Sequence, residues 1–178
     1  MNASGFVLAG GASVRMGRDK ASLPYRGATL LDHIAAAVRE AAGNVIVIGG
    51  SSGIPDKIPG LGPIGGLFTA LSETATDWNL VVACDMPGIS AEVLRILLKK
   101  SEISNAECVA AAIDGAPEPL CAVYHRRCLP KVTHAIGDKR LKMLDLLAEL
   151  QIEMEPLDPA ALANANTPAE WAAIESSR

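Results

Sequence analysis

The chain has 178 residues, enough for a single domain (residues 1–178) with a sizeable core. It is 49% hydrophobic and 20% charged with a net charge of −4, which excludes a disordered chain and argues against a generic nucleic-acid or membrane-surface binder, which would be basic. No apolar run is long enough to span a membrane, and the amino terminus lacks the basic and apolar regions of a secretory signal, so a cytoplasmic protein is expected.

Phe6 to Ala9 predict a short buried strand, stopped by Gly10 and Gly11. Glycine lets backbone N–H groups approach a ligand, and Arg15, Arg18 and Lys20 follow closely. Strand, glycine turn and clustered cations describe a site for an oligophosphate. It is not a P-loop, because five residues separate Gly11 from Gly17 and Arg18 stands where Lys is needed. Nor is it the dinucleotide fingerprint, because its glycines are adjacent. The plain alternative, a turn with surface cations, leaves the placing of three cations unexplained.

Thr29 with Asp32 begins a helix whose apolar face is Leu30, Leu31, Ile34 and Val38, and Gly43 ends it. Val45 to Ile48 is a β-branched strand, completing a parallel βαβ unit with the glycine turn at the carboxyl end of its first strand. A loop from Ser51 to Pro63 carries Asp56 and Lys57. The run G-P-I-G-G (Gly62–Gly66) then opens a helix, either as an anion-binding start or as a plain tight loop. Leu80 to Cys84 is another buried strand, ending at Asp85-Met86-Pro87. Asp85 is either a magnesium ligand at the ligand crevice or an Asp opening a turn before proline.

Ser90 caps a helix with Val93, Leu94, Leu97 and Leu98 inward. Asp114-Gly115 makes a turn, and Cys108–Ile113 and Pro119–Tyr124 predict an antiparallel hairpin with a longer loop. A helix is expected over Arg126–Ile136 and a second over Lys139–Leu150, the latter with Leu141, Leu144, Leu147 and Ala148 inward. Lys139, Arg140 and Lys142 crowd its first turn, as a solvated face or a second anion site. Glu153–Leu157 reads as an edge strand. Thr167, Pro168 and Glu170 signal a last helix after Asn164 and Asn166. Cys84, Cys108, Cys121 and Cys128 form no C-x-x-C and read as reduced core residues; with His33, His125 and His134 not at ligand spacing, no zinc site is expected.

Leu8, Ala9, Gly10, Gly11, Ser13, Arg15, Met16, Gly17, Asp19 and Lys20 fill every fixed position of L-A-G-G-x-S-x-R-M-G-x-D-K. This resembles the signature of the molybdenum cofactor guanylyltransferase family of nucleotidyltransferases, whose wider superfamily shares a looser version. The likeness extends through Asp56 with G-P-I-G-G, C-D-x-P at Cys84–Pro87, P-L-x-A-x-Y at Pro119–Tyr124 and N-x-N-T-P at Asn164–Pro168. Ile64 replaces a Leu of the family pattern, and Glu118 stands where relatives often carry Gln or His. A carboxylate there would repel an anionic substrate, so Glu118 receives no binding role.

The resemblance implies a three-layer α/β/α Rossmann-like nucleotidyltransferase fold, with a mostly parallel central sheet and an antiparallel part. It implies transfer of GMP from GTP to molybdopterin, releasing pyrophosphate. Arg15, Lys20 and Asp85 would be catalytic, with Mg2+ on Asp85. Leu8, Ala9, Gly10, Gly11, Lys20, Asp56 and Asp85 would hold GTP. Arg15, Gly62, Gly66, Arg140, Asn164 and Asn166 would line the molybdopterin side. Transient contact with proteins that deliver molybdopterin or mature molybdoenzymes is a further expectation, and contact with nucleic acid or membrane is not expected. No nucleophile with a partner base stands out, and none is needed if the acceptor is an already ionised phosphate monoester. Two alternatives remain at this stage: a cytidylyltransferase using CTP, and a non-catalytic molybdopterin carrier.

Overall fold

The computed structural model describes residues 2–10, 22–25 and 27–163. Its first strand, β1 (Ala3–Leu8), is buried on both faces, as a central parallel strand must be. Thr29 and Asp32 form the expected reciprocal capping box of α1 (Leu30–Ala42), and Gly43 closes it in the left-handed conformation. Between the signature and α1 lies a hairpin of β2 (Pro24–Tyr25) and β3 (Ala28–Thr29), turning at Gly27, which the sequence analysis had not anticipated.

The chain continues through β4 (Ile46–Ile48), α2 (Pro63–Glu73), β5 (Trp78–Ala83) and α3 (Ala91–Ile103). It then runs through β6 (Cys108–Ile113), β7 (Ala116–His125), a 3-10 turn at Arg126–Cys128 and α4 (Leu129–Gly137). It closes with α5 (Met143–Leu147), β8 (Ile152–Pro156) and α6 (Pro159–Leu162). Six strands form one sheet in the order β4-β1-β5-β7-β6-β8. Only β7 runs against the others. The β6–β7 hairpin turns tightly at Asp114 and Gly115, both at positive φ, so β7 begins at Ala116 without the longer loop expected before Pro119.

Strand periodicity divides the core into two layers. Ala3, Val7, Leu80, Val82, Val109 and Val123 face α1 and α3, against Ile34, Val38, Leu94 and Leu97. Phe6, Leu8, Val81, Ala110, Ala122 and Tyr124 face the opposite side, against Leu67 and Leu71 of α2, Val132 of α4 and Leu146 of α5. This is the expected three-layer α/β/α arrangement. Glu107, 9% exposed, ties the far side of the sheet together. Its carboxylate accepts from Lys131 Nζ at 2.7 Å and from the Gln151 N–H at 2.9 Å.

The segment after α4 departs from expectation. Lys139 takes φ 58 and ends α4, with the Arg140 N–H reaching back to the Ala135 carbonyl (2.9 Å). Lys142 is extended, so the helix is confined to Met143–Leu147. Its inward stripe is Met143, Leu146, Leu147 and, just beyond it, Leu150, at helical spacing, whereas Leu144 is 58% exposed and Ala148 faces outward. Leu147 is inward as expected and Leu141 packs half-buried against the same layer, whereas Leu144 and Ala148 are not inward because Lys142 is extended and the helix begins at Met143.

Candidate functional site

In an open α/β sheet the ligand crevice lies beyond the carboxyl ends of the strands, where successive crossovers leave in opposite directions. Here β1 is followed by β4 on one side and β5 on the other, so the crevice opens above β1. Leu8 pairs with Ile48 and with Ala83, and Val82 pairs with Cys121. Continuing the two parallel registers upward sets Gly50, Gly10 and Asp85 in one row, and Glu118 lies near enough on β7 for its carboxyl to feel the Asp85 charge.

The ladder engages the last residues of β1. The Cys84 N–H donates to the Leu8 carbonyl at 3.2 Å, and the Ala9 N–H donates to the Ile48 carbonyl at 2.8 Å. Leu8 and Ala9 are themselves buried, while Gly10 is exposed. The backbone open to a ligand therefore begins at the Ala9 carbonyl and Gly10. Glycine at 49 is forced: its φ is 76, and a Cβ there would sit 2.8 Å from both Cα and N of Gly10. Two glycine backbones thus cross in contact at the floor of the crevice.

Asp56 reaches the same floor. Its Oδ2 lies 3.7 Å from where a Cβ on Gly10 would be. The loop carrying it is pinned on both sides. The Ile54 N–H bonds the Val47 carbonyl (2.9 Å), and the Lys57 N–H bonds Thr69 Oγ1 in α2 (3.0 Å). Lys57 Nζ also pairs with Glu73 at 2.6 Å. Burial pushes the Asp56 carboxyl above its ordinary value.

Asp85 is half-buried just past β5, and Glu118 faces it from the start of β7. Burial raises the Glu118 carboxyl; the Leu120 N–H, donating at 3.1 Å, opposes this, and the Asp85 charge adds to it. Glu118 is the residue that sequence reasoning set aside. The signal that could have found it is the antiparallel register of β7 against β5, which no local pattern shows. Among the described residues no group of three or more His, Cys, Asp or Glu could hold a metal. Two hard carboxylates still fit a divalent cation such as magnesium, which takes one or two carboxylates and completes its shell with phosphate and water.

Gly62 caps α2 at φ 67 and ψ −151, a region essentially reserved for glycine, and is exposed at the crevice rim. Gly66 lies deeper. It is buried, and a Cβ there would meet Leu8 Cδ2 at 3.0 Å, so its missing side chain serves the packing of α2 on β1. Arg140 bonds Asp138 Oδ2 at 3.2 Å and pairs with Glu149, holding its guanidinium at the end of α4. The structure therefore brings together Gly10, Asp56 and Asp85, with Gly62 at the edge. Gly11, Arg15, Lys20, Asn164 and Asn166 lie outside the described residues.

Residues 5–152 match a family described as the MobA-like NTP transferase domain. A probable molybdenum cofactor guanylyltransferase of Flavobacterium johnsoniae is 32% identical over 173 residues, covering 91% of this chain and 90% of that protein. Another of Bacillus subtilis is 32% identical over 189 residues, covering 95% and 92%. Among solved structures, molybdopterin-guanine dinucleotide biosynthesis protein A of Archaeoglobus fulgidus superposes with a TM-score of 0.84 at 24% identity, covering 98% of this chain and all of that one.

Proposed function

The chain belongs to the MobA-like NTP transferase family, and from that premise we propose that it transfers GMP from GTP to molybdopterin as a single domain, forming molybdopterin guanine dinucleotide and releasing pyrophosphate. The observation that carries the reading is the row at the carboxyl edge, where an exposed glycine backbone, Asp56 and the Asp85–Glu118 pair meet above the crossover of β1. No helix among the described residues is long and apolar enough to cross a membrane. A cytoplasmic site of action and transient contact with proteins that supply the pterin belong to the same proposal.

In this reaction an oxygen of the pterin's terminal phosphate attacks the α-phosphorus of GTP. One P–O bond forms as the α–β bridging bond breaks, and the electron pair leaves with pyrophosphate. A phosphate monoester is largely ionised near neutrality, its second pKa being about 6, so the chain supplies no general base. Its task is alignment and charge stabilisation. Gly10 would approach the nucleotide through its main chain, and Asp56 would accept from the guanine edge or the ribose. Arg15 and Lys20 would neutralise the departing pyrophosphate. Asp85, with Glu118 beside it, would hold Mg2+, which when bound draws charge from the phosphates. A cation held there would also offset the repulsion expected between Glu118 and an anionic substrate. Gly62, Asn164 and Asn166 would face the pterin, with Arg140 at the margin.

The deciding experiment is a pair of turnover assays with molybdopterin, one with GTP and one with CTP, read by product mass. The guanine dinucleotide with pyrophosphate is expected. The cytosine dinucleotide would make the chain a cytidylyltransferase, and pterin binding without pyrophosphate from either nucleotide would make it a carrier.

A further inference from the structure

Tyr25 leaves the signature segment five residues after Lys20. Its ring is 5% exposed, packed in the layer that also holds Met86 and Ile89, and it meets the His33 ring at 4.7 Å. Its hydroxyl donates to the Pro87 carbonyl at 2.9 Å in a buried setting. Pro87 is two residues beyond Asp85. The intervening chain is a tight turn closed by the Ile89 N–H on the Met86 carbonyl at 3.1 Å.

That turn is gripped unevenly. At Gly88 the backbone of α6 comes so near that a Cβ would lie 2.3 Å from the Ala160 carbonyl oxygen. Pro87, Gly88 and Ser90 also border a groove of about 770 Å³, whose lining includes Tyr25, His33 and Ala160 itself. Gly88 is exposed and Ser90 half-exposed there, while Pro87 between Met86 and Gly88 is buried. There the Tyr25 hydroxyl is a directional restraint that reaches the turn from the hairpin following the signature. A phenylalanine would fill the same space, and the hydroxyl adds orientation to packing.

We propose that Tyr25 is a positioning residue: its bond to the Pro87 carbonyl fixes the Asp85 turn against the β2–β3 hairpin, so that the Asp85 carboxylate is held in one orientation for the metal-bound nucleotide. This rests on the nucleotidyl-transfer reading. A misplacement of about 1 Å in such a site can cost about a hundredfold in rate, so partial loosening should be readable in kinetics.

The test uses Tyr25→Phe in the full chain, with Ser101→Ala as a control. Ser101 donates from its buried hydroxyl to the Leu98 carbonyl at 2.7 Å, at the far end of α3. Mn2+ affinity is titrated by electron paramagnetic resonance with GTP and no pterin, and kcat and KM are measured with Mg2+. For Tyr25→Phe we expect Mn2+ binding weakened about fivefold, kcat lowered about tenfold and the KM for GTP within about twofold. Ser101→Ala should keep its Mn2+ affinity and kcat even if its melting temperature falls. A Tyr25→Phe enzyme with wild-type Mn2+ affinity and kcat overturns the positioning role while leaving the transfer reading intact. A wild-type chain that turns over neither GTP nor CTP overturns the transfer reading, while the Mn2+ comparison still tests the hydroxyl. A wild-type chain that binds no Mn2+ with GTP overturns both.

Discussion

Gly43 and Gly49 make a matched pair for testing the floor of the crevice. Both sit at positive φ, 82 and 76, and both keep a main-chain N–H bond of 2.8 Å, to the Arg39 and Ile54 carbonyls. Alanine at either position must adopt the left-handed conformation, at a cost of about 1–2 kcal/mol. Their surroundings differ. A Cβ at Gly43 meets nothing within 4 Å, whereas one at Gly49 lies 2.8 Å from Cα and N of Gly10. Those atoms are backbone and cannot rotate away, so the turn must shift, adding about 1–3 kcal/mol of overpacking. Gly43→Ala should therefore lose about 1–2 kcal/mol in urea unfolding, and Gly49→Ala about 2–5 kcal/mol. Because the shift falls on the backbone offered to the nucleotide, GTP affinity should drop about tenfold or more in Gly49→Ala alone, a change of about 1.4 kcal/mol or more. Equal stability losses, or unchanged GTP binding by Gly49→Ala, would refute the close crossing as the floor of the site.

Three further outcomes are expected. Asp85→Asn should fold normally and lose about 10²–10³ in turnover, and undiminished metal-dependent activity would remove Asp85 from the reaction. Thr69→Val deletes the hydroxyl that receives the Lys57 N–H, and should raise the KM for GTP several-fold through the Asp56 loop while costing about 1 kcal/mol in stability; a wild-type KM would show that this anchor does not set Asp56. Glu107 carries a pH signature. Burial raises its carboxyl, but the Lys131 ammonium and the Gln151 N–H outweigh that and leave it below its ordinary value. A carboxyl depressed in the folded state stabilises above its unfolded pKa and loses that contribution as pH falls through the folded one. Glu107→Gln should thus cost about 1–2 kcal/mol at pH 7 and approach wild-type stability as the pH falls below the ordinary carboxylate range in denaturant titrations; a constant difference over that descent would refute the assignment.

What was legible in the sequence was local. Gly10 after β1, the Thr29–Asp32 box and the Asp114-Gly115 turn each carry their own chemistry within a few residues, and the structure places them accordingly. The β2–β3 hairpin and α6 escaped because each is only a few residues long and has no period to detect. Gly137-Asp138 marks the break between the two helices, but the start of α5 escaped because the break runs on through Lys139, in a conformation usually left to glycine, to the extended Lys142. Gly66 shows the opposite hazard. A glycine inside a suggestive motif is accounted for by contact with Leu8, a residue distant in sequence. Arg140 is similar, because its partner Glu149 lies beyond the next helix.

The one reversed strand has a consequence for the chemistry. Parallel strands bring only their carboxyl ends to the crevice, whereas β7, running the other way, brings its beginning. Glu118 therefore reaches Asp85 from the opposite chain direction, across the register that joins Val82 to Cys121. The β6–β7 pairing slips between Ala110 and Ala111, so that Ala110 faces Ala122 while Ala111 faces Glu118. Irregularities of this kind re-aim side chains at the ends of sheets. This one is braced from inside the core by the Tyr124 hydroxyl, which donates to the Pro119 carbonyl at 2.8 Å. Two buried tyrosines thus hold the chain beside the two facing acids, Tyr25 through Pro87 for Asp85 and Tyr124 through Pro119 for Glu118. Both prolines lack an N–H, leaving the carbonyl as the main-chain group to grip, and in each case a tyrosine takes it.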